Sequence, residues 1–220
     1  VIGGGAGGVE LAFALRHRRA DPPLRVTLVA GAAGVLAGFA PRARKLATRA
    51  LAARGITLVK GDARCKDGQL DAGGRSLEPV DQVLAALGAA APEWPGASGL
   101  AVDDHGFIKV DRNQRSVSHP QILAAGDVAA RQDRHVPRSG VHAVHTGPVL
   151  ATNLRHLLNG SGTLHSYTPR RATLYLLATA DGKAIASYGR FAAHGRWAAW
   201  LKRAIDRQWV TSFAKLGRDV

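Results

Sequence analysis

The sequence predicts an α/β protein, and three observations carry that expectation. Val1 to Glu10 read VIGGGAGGVE, in which Gly3, Gly5 and Gly8 keep the spacing G-x-G-x-x-G. A helix-forming stretch follows at once. A β-branched stretch, Arg25 to Ala30 (RVTLVA), comes next, at the distance a βαβ unit requires. Each glycine has its own physical task. The first permits a tight turn, the second lets backbone approach a pyrophosphate, and the third lets helix pack close to strand. A helix behind such a turn offers its first N–H groups to phosphate. The residues point to a dinucleotide site.

The remaining elements follow in order. Glu10 to Arg19 holds good helix formers, and Asp21-Pro22-Pro23 ends them. Pro41 to Arg54 predicts a second helix. Pro41 suits its first turn, Leu46, Ala50 and Leu51 give an apolar stripe, and Gly55 stops it. Ile56 to Lys60 predicts a strand. Ala72-Gly73-Gly74 predicts a hairpin turn between Gln69-Leu70 and Arg75–Leu77. Val80 to Leu87 is nearly all apolar, the pattern of a strand buried in a parallel sheet. Gly88 to Gly99, rich in Ala, Pro and Gly, marks a domain boundary. Beyond it, Phe107–Val110 and Gln121–Ala125 predict strands and Gly140–Leu158 a helix punctuated by Gly147-Pro148. Thr173–Ala178 and Lys183–Tyr188 predict a hairpin about Asp181-Gly182, and Trp197 to Phe213 a closing helix.

Composition narrows the classes. The 220 residues carry a formal charge of +14, with basic runs at Arg16–Arg19, Arg42–Lys45, Arg170–Arg171 and Arg196–Arg207. These read as solvated helix faces. The competing reading is affinity for nucleic acid or an anionic membrane. The chain holds no nucleic-acid module signature, so nucleic acid is not an expected partner. No apolar run is long enough to span a bilayer, and no signal peptide opens the chain. Cys65 is the one cysteine. It makes no internal disulfide or cysteine zinc cluster, fits a cytosolic protein, and reads as a packing residue. His142 and His145 have no carboxylate or cysteine beside them, so no metal site is expected. Only Val1 and Ile2 precede the glycine turn, and the chain contains no Met. The sequence is therefore expected to begin inside something larger, without the leading strand of its own sheet, which leaves neighbouring backbone groups unpaired.

A second motif lies at Ser118 to Val128, SHPQILAAGDV. An apolar stretch ends in Gly126-Asp127 before a polar loop. A carboxylate there can accept hydrogen bonds from a ribityl or ribose hydroxyl, and the glycine lets the ligand come close. A dinucleotide site often carries Asp or Glu at the end of its second strand to grip the adenosine ribose. Here that place holds Val29-Ala30-Gly31, and the nearest basic residue is Arg42. The choice between NADH and NADPH stays open on these residues.

Together the motifs resemble the pyridine nucleotide–disulfide oxidoreductase-type flavoproteins, near the type II NADH dehydrogenase branch. The resemblance covers nearly the whole chain. Gly3 to Glu10 matches that family's GGGxxGxE, and Ala124-Ala125-Gly126-Asp127 matches its AxGD. Ala86-Leu87-Gly88 stands for its ATG, with Leu in place of Thr. Gly147–Leu154 and the stretches Tyr175–Leu177 and Gly195–Trp197 resemble a bacterial subgroup sometimes fused to selenophosphate synthetase.

The resemblance implies a Rossmann-like NAD(P)-binding domain (residues 1–90), the second segment of an FAD-binding domain (91–165) and a small α+β C-terminal region (166–220). It implies FAD and NAD(P)H as cofactors, with hydride passing from NAD(P)H to flavin and on to an unidentified acceptor. Gly3, Gly5, Gly8, Glu10 and Gly88 would serve the nicotinamide nucleotide, Glu10 near its nicotinamide. Gly126 and Asp127 would serve the flavin. No side chain is assigned as acid, base or nucleophile. The family's quinone motif, AQxAxQ, falls on Gly140–His145 with both Gln positions lost, so quinone is not carried over.

Trp197, Leu201, Ile205 and Trp209 form a stripe at i, i+4 spacing, with Lys202, Arg203 and Arg207 outside it. This amphipathic basic helix either docks on its own domain or a homodimer mate, or lies on a membrane surface. The type II NADH dehydrogenases use their C-terminal helices in the last way, by resemblance. The expected location is cytoplasmic, with peripheral attachment to the membrane face as the variant. Two further readings stand beside the oxidoreductase: a non-catalytic truncated fragment of such an enzyme, and a basic module that associates with membrane or nucleic acid.

Overall fold

A four-place parallel pairing organises the N-terminal part of the chain. The computed structural model describes residues 1–18, 20–67, 69–170 and 172–216. Helix α1 spans Ala6–His17 and strand β1 Thr27–Ala30. Helix α2 spans Pro41–Ala53 and strand β2 Thr57–Lys60. Strand β2 runs parallel to β1, with Ala30 opposite Lys60. On the other side of β1, Ile2 bridges Val29 and also Ala85, both in parallel. The order across the sheet is therefore β2, β1, Ile2, Ala85. The short segment at Val1-Ile2 lies between its two neighbours and hydrogen-bonds to both.

The expected strand Val80–Leu87 does not form: only Ala85 pairs. Two residues of partner support only a bridge, and Val80, Val83, Leu84 and Leu87 stay exposed. Helix α2 is as the sequence predicts it. Pro41 sits at its start. Its C-terminus closes in a Schellman motif, with Gly55 N–H donating to Ala52 O (2.9 Å) and Ile56 N–H to Leu51 O (3.0 Å). Beyond β2 an antiparallel meander follows: β3 (Ala63–Lys66), β4 (Gln69–Ala72) and β5 (Arg75–Ser76). Cys65 on β3 is exposed, contrary to the expected packing role, because β3 lies at the surface with Arg64 and Lys66 exposed as well.

The chain divides into two compact units, residues 1–88 with 172–220 and residues 89–171. In the first unit, β8 (Leu174–Ala178), β9 (Ala184–Tyr188) and β10 (Phe191–Gly195) form an antiparallel sheet. Numbers β6 and β7 belong to the second unit, below. The expected hairpin thus gains a third strand. Strand β8 lies against α1, and β9 and β10 against α2. The two helices are sandwiched between this sheet and the parallel strands. One apolar core joins Val9, Phe13, Leu28, Leu36 and Leu51 to Leu177 and Ile185. Its driving force is removal of apolar surface from water, about 25 cal/mol per Å².

The last helix, α5 (Arg196–Leu216), packs on the far face of that sheet through Ala198 and Ala199. Small residues allow close approach there. Of the predicted stripe, Leu201 is half-buried, whereas Trp197, Ile205 and Trp209 are exposed, as are Trp200 and Phe213. Among the described residues, no helix is long and apolar enough to cross a membrane.

The second unit begins with the short helix α3 (Trp94–Ala97). Strand β6 (Ile108–Val110) pairs in parallel with β7 (Ala129–Arg131). Gln121–Ala125, expected as a strand, makes only the bridge Arg115–Leu123. The paired strand is instead the segment after Gly126-Asp127, because the apolar residues before the motif fill the core beside Leu100, Ile108 and Val110. Helix α4 (Gly140–Leu158) has the predicted bounds.

Candidate functional site

The glycine turn joins Ile2 to α1, and each glycine can be read by asking what a Cβ would strike. At Gly3 (φ +126°) it would lie 2.1 Å from Ala86 O, and at Gly8 it would lie 1.9 Å from Gly3 O. At Gly4 it would meet the Ala30 Cβ at 2.6 Å. These three are glycine because the protein's own atoms press on them. Gly5 and Gly7 have nothing within 4 Å. Gly5 is the N-cap of α1, and its carbonyl takes the first intrahelical bond, from Val9 N–H (3.0 Å). The N–H groups ahead of Val9 lack an acceptor within the helix. An open backbone face thus meets the positive end of a helix dipole, the arrangement that holds a phosphate. Sequence reasoning missed Gly4, whose carbonyl accepts from Leu36 N–H (2.7 Å) and fixes the loop after β1.

Glu10 sits in α1 beyond this turn. Its Oε1 accepts from Ala178 N–H (2.8 Å) and lies 3.7 Å from the Lys202 ammonium. The carboxylate therefore clasps the C-terminal sheet and α5 to α1. Gly88 is exposed with a positive φ of 94°, two residues past the Ala86 N–H that donates to Ile2 O (2.7 Å). The structure thus brings Gly3, Gly5, Gly8, Glu10 and Gly88 into one unit. Gly126 and Asp127 lie in the other.

In the second unit Gly126–Val128 forms a 3-10 turn packed on the start of α4. A Cβ at Gly126 would stand 3.4 Å from the Ala143 Cβ. Asp127 is exposed and borders a small cavity of about 20 Å³ with Ser139, His142, Thr146 and Tyr167. Ser139 is the N-cap of α4, yet makes no cap bond, and its Oγ is buried with no hydrogen-bond partner. A buried hydroxyl without a partner is costly unless a ligand or water completes it. A carboxylate and the free N–H groups of a helix start suit a polyhydroxyl chain bearing phosphate. The exposed Asp127 carboxylate and the α4 N-terminus therefore fit FAD, whereas the cavity beside the buried Ser139 hydroxyl has room for about one water.

Polar groups join the segments of this unit, and of them sequence reasoning singled out His142 alone, as a candidate metal ligand. Arg131 donates to both carboxylate oxygens of Asp133 (2.7 and 2.8 Å) and to Tyr167 O (2.9 Å). Its hydrogen bonds hold the Asp133 carboxyl at about 2, well below the usual range. His142 Nδ1 bonds the Tyr167 hydroxyl (2.8 Å), and burial, reinforced by His145, lowers its pKa. Asn153, fully buried, donates to Asn113 O and His165 O and accepts from His165 N–H (2.7 Å). These partners come from distant segments, and no local pattern announces them.

A comparable network closes the first unit. The Thr179 hydroxyl bonds Asp181 (2.6 Å) and His194 (3.1 Å), and Asp181 pairs with Arg54 at 3.0 Å. Burial alone would raise the Asp181 carboxyl. The Thr179 hydroxyl and the Arg54 guanidinium outweigh it and hold the group at about 2. His194 is lowered, chiefly by burial, although Asp181 pulls the other way.

The chain is similar to known proteins in sequence and in fold. A type II NADH:quinone oxidoreductase of Staphylococcus epidermidis is 33% identical over 103 residues, 45% of this chain and 25% of that protein. An FAD-dependent pyridine nucleotide-disulphide oxidoreductase from Desulfovibrio vulgaris superposes with TM-score 0.64 at 22% identity, covering 86% of this chain and 48% of that one. A water-forming NADH oxidase from Lactobacillus brevis, bound to NADH, gives 0.63 at 22% identity, covering 86% and 41%. The chain thus spans a quarter of the curated relative's length and under half of these structures. The structural likenesses establish the fold. The model of one family, pyridine nucleotide-disulphide oxidoreductase, matches residues 1–147, and the chain belongs to that family.

Proposed function

We propose that this chain supplies the NAD(P)H-binding domain and the second FAD segment of an FAD-dependent NAD(P)H oxidoreductase. One observation carries the reading. Gly3, Gly4 and Gly8 are glycine for the protein's own packing, while Gly5 faces open space at a helix start. A side chain would fit at Gly5 in the free protein, so the space there suits a ligand. The Gly3–Gly8 turn would seat the pyrophosphate of NAD(P)H against the first N–H groups of α1. Asp127 would accept from the ribityl hydroxyls of FAD, with the α4 N-terminus donating beside it. Bound FAD supplies the two-electron chemistry, and the protein's part is to hold and orient. The solved NADH oxidase with bound NADH and the staphylococcal relative support this reading. The final electron acceptor is left unassigned.

The test is a titration of the full-length gene product, purified and scanned for flavin absorbance, with NADH under anaerobic conditions. Bleaching of a flavin band on adding NADH is the expected result. A colourless protein with no NADH binding would overturn the proposal.

A second reading concerns partners and rests on α5. Trp197, Trp200, Ile205, Trp209 and Phe213 are all exposed, as are Arg203 and Arg207 on the same helix, while Lys202 is paired with Glu10 and Asp206. An aromatic face among cations suits the surface of an anionic membrane. Co-sedimentation with anionic liposomes tests it. Binding should fall in the double variant Trp200→Ser, Trp209→Ser, whose melting temperature should hold because both residues lie outside the packed face. A homodimer through the same face is the competing outcome, read as a doubled mass without liposomes.

A further inference from the structure

The adenosine ribose of a bound dinucleotide usually meets an acidic residue at the end of the second strand of the βαβ unit. Here β1 ends in Ala30, which is fully buried, and Gly31 follows. Neither can hydrogen-bond a hydroxyl through a side chain. A carboxylate nevertheless stands at that place. A Cβ on Gly31 would lie 3.3 Å from Asp62 Oδ1. Asp62 thus occupies the space into which the usual acidic side chain would project, and it arrives from the next strand.

Three features put it there. The register of β1 and β2 sets Lys60 opposite Ala30, and Gly61 N–H donates to Ala30 O (2.8 Å). Gly61 then adopts φ +127°, and a Cβ on it would lie 2.3 Å from Gly73 Cα. Only glycine fits that turn. Gly73 N–H donates to Asp62 O (3.4 Å), which fixes the backbone as it leaves the sheet. Among the described residues, no ion pair or hydrogen bond engages the Asp62 carboxylate. The residue is exposed and borders an open cleft of about 450 Å³ with Arg64, Asp71, Gly73 and Gly74.

We propose that Asp62 is the specificity-determining residue of the nicotinamide nucleotide site: its carboxylate accepts from the adenosine ribose hydroxyls and makes this chain prefer NADH over NADPH. The inference rests on the dinucleotide reading of the Gly3–Gly8 turn. A 2′-phosphate at Gly31 would face the Asp62 charge and would have no hydroxyl proton to offer it. Arg64 borders the same cleft as Asp62, and two further cations, Arg44 and Lys60, approach at Gly34, three residues on. There the Arg44 guanidinium is spent on the loop, donating to Ala33 O and to Val35 O (3.2 Å). Lys60 approaches Gly34 through its Cε. The Asp62 carboxylate oxygen is the one atom that a Cβ on Gly31 would meet within 4 Å, chain neighbours aside.

Calorimetric titration of the full-length gene product with NAD⁺ and NADP⁺ tests this without turnover. The wild type should bind NAD⁺ at least tenfold more tightly than NADP⁺, as the loss of one hydrogen bond to a charged group and one like-charge contact requires. Asp62→Asn should weaken NAD⁺ binding about tenfold and erase most of the preference, while Asp62→Glu should keep it. Circular dichroism melts should be unchanged in both, since the side chain is exposed. An unchanged NAD⁺ to NADP⁺ ratio in Asp62→Asn, or a wild type that favours NADP⁺, overturns the proposal. Gly5→Val separates the two claims. If it abolishes binding of both dinucleotides while Asp62→Asn changes nothing, the site stands and Asp62 is not its ribose ligand. A wild type that binds neither dinucleotide overturns both.

Discussion

The glycine turn of the first unit and the Gly126-Asp127 turn of the second both stand at a helix start, where the proposed function seats a phosphate-bearing ligand, and they are built by opposite means. The first uses contiguous residues and backbone alone. Its tight contacts at Gly3, Gly4 and Gly8 involve main-chain atoms or a single methyl group, and its open face needs no side chain. The second turn is built from side chains that arrive from distant segments. Arg131, His142 and Tyr167 border it, with Arg131 and His142 each bonded to Tyr167, and Ser139 is left with an unmet hydroxyl. A backbone site is written in local spacing. A side-chain site is written in tertiary contacts. The two should therefore fail differently.

Gly8→Ala should give the largest effect. Its Cβ would stand 1.9 Å from Gly3 O, and backbone cannot yield there without moving strand and helix apart. Destabilisation of more than about 3 kcal/mol is expected, or loss of cooperative unfolding altogether. A thermal melt within about 2 °C of wild type would break the claim that packing fixes this glycine.

Gly5→Val should separate binding from folding in the same turn. Nothing lies within 4 Å of its Cβ position, so the melt should hardly move. Dinucleotide affinity should drop by roughly tenfold or more, because a branched side chain fills the approach of the pyrophosphate. Unchanged affinity in the folded variant would remove the ligand from this turn.

In the second unit, Asp127→Ala should lower flavin content. The lost hydrogen bond to a charged group is worth roughly 1.5–3 kcal/mol, about tenfold in occupancy or more. Full flavin with a native spectrum would make Asp127 structural only.

The smallest effect is with pH. His142 in one unit and His194 in the other both have lowered pKa values, chiefly through burial. A histidine whose folded pKa lies below its unfolded value adds stability that is complete above the unfolded pKa, about 6.5. That contribution is lost as pH falls from there toward the folded pKa, because the unfolded chain binds the proton first. Melting temperature should therefore decline on acidification below about 6.5. His142→Gln should flatten the decline for the second unit and leave the first unit's share intact. An equally steep decline in the variant would show that this imidazole does not titrate on unfolding. The Asp181 carboxyl adds a separate, more acidic limb. Held at about 2 from an ordinary 3.8, it supports folding above that ordinary value and loses its contribution as pH falls through it toward about 2.

The same contrast explains what could be read in the sequence. Helix α2 was legible because its punctuation is local: Pro41 at the start, and Gly55 for the closing turn. Helix α4 keeps its predicted bounds for a similar reason. Val80–Leu87 misled because apolar composition reports a wish for burial, whereas a strand also needs a partner of matching length. Strand β10 carried a signal that went unread, the two-residue loop Gly189-Arg190 between paired Tyr188 and Phe191. Strand β7, Ala129–Arg131, had none, since small residues favour neither helix nor sheet strongly enough. In the sites, the glycines were visible, and Asp127 was visible through its glycine. Asp62 was not, because only the register of β1 with β2 brings it beside Gly31.

One consequence concerns how the molecule is made. The core shared by Val9, Phe13 and Leu51 is completed by Leu177 and Ile185, and the Glu10 carboxylate is satisfied by Ala178, 168 residues later. A ribosome adds roughly 5–20 residues per second, so roughly 10–30 seconds pass before the C-terminal sheet emerges. Until then the outer faces of α1 and α2 lie bare to water and to other chains. The inserted second unit leaves the ribosome whole in that interval and can fold first. Non-local closure of this kind is slow and prone to aggregation. Growth temperature and chaperone supply should therefore govern the yield of this protein through its first unit, and a nascent chain stalled before residue 172 should be the species a chaperone captures.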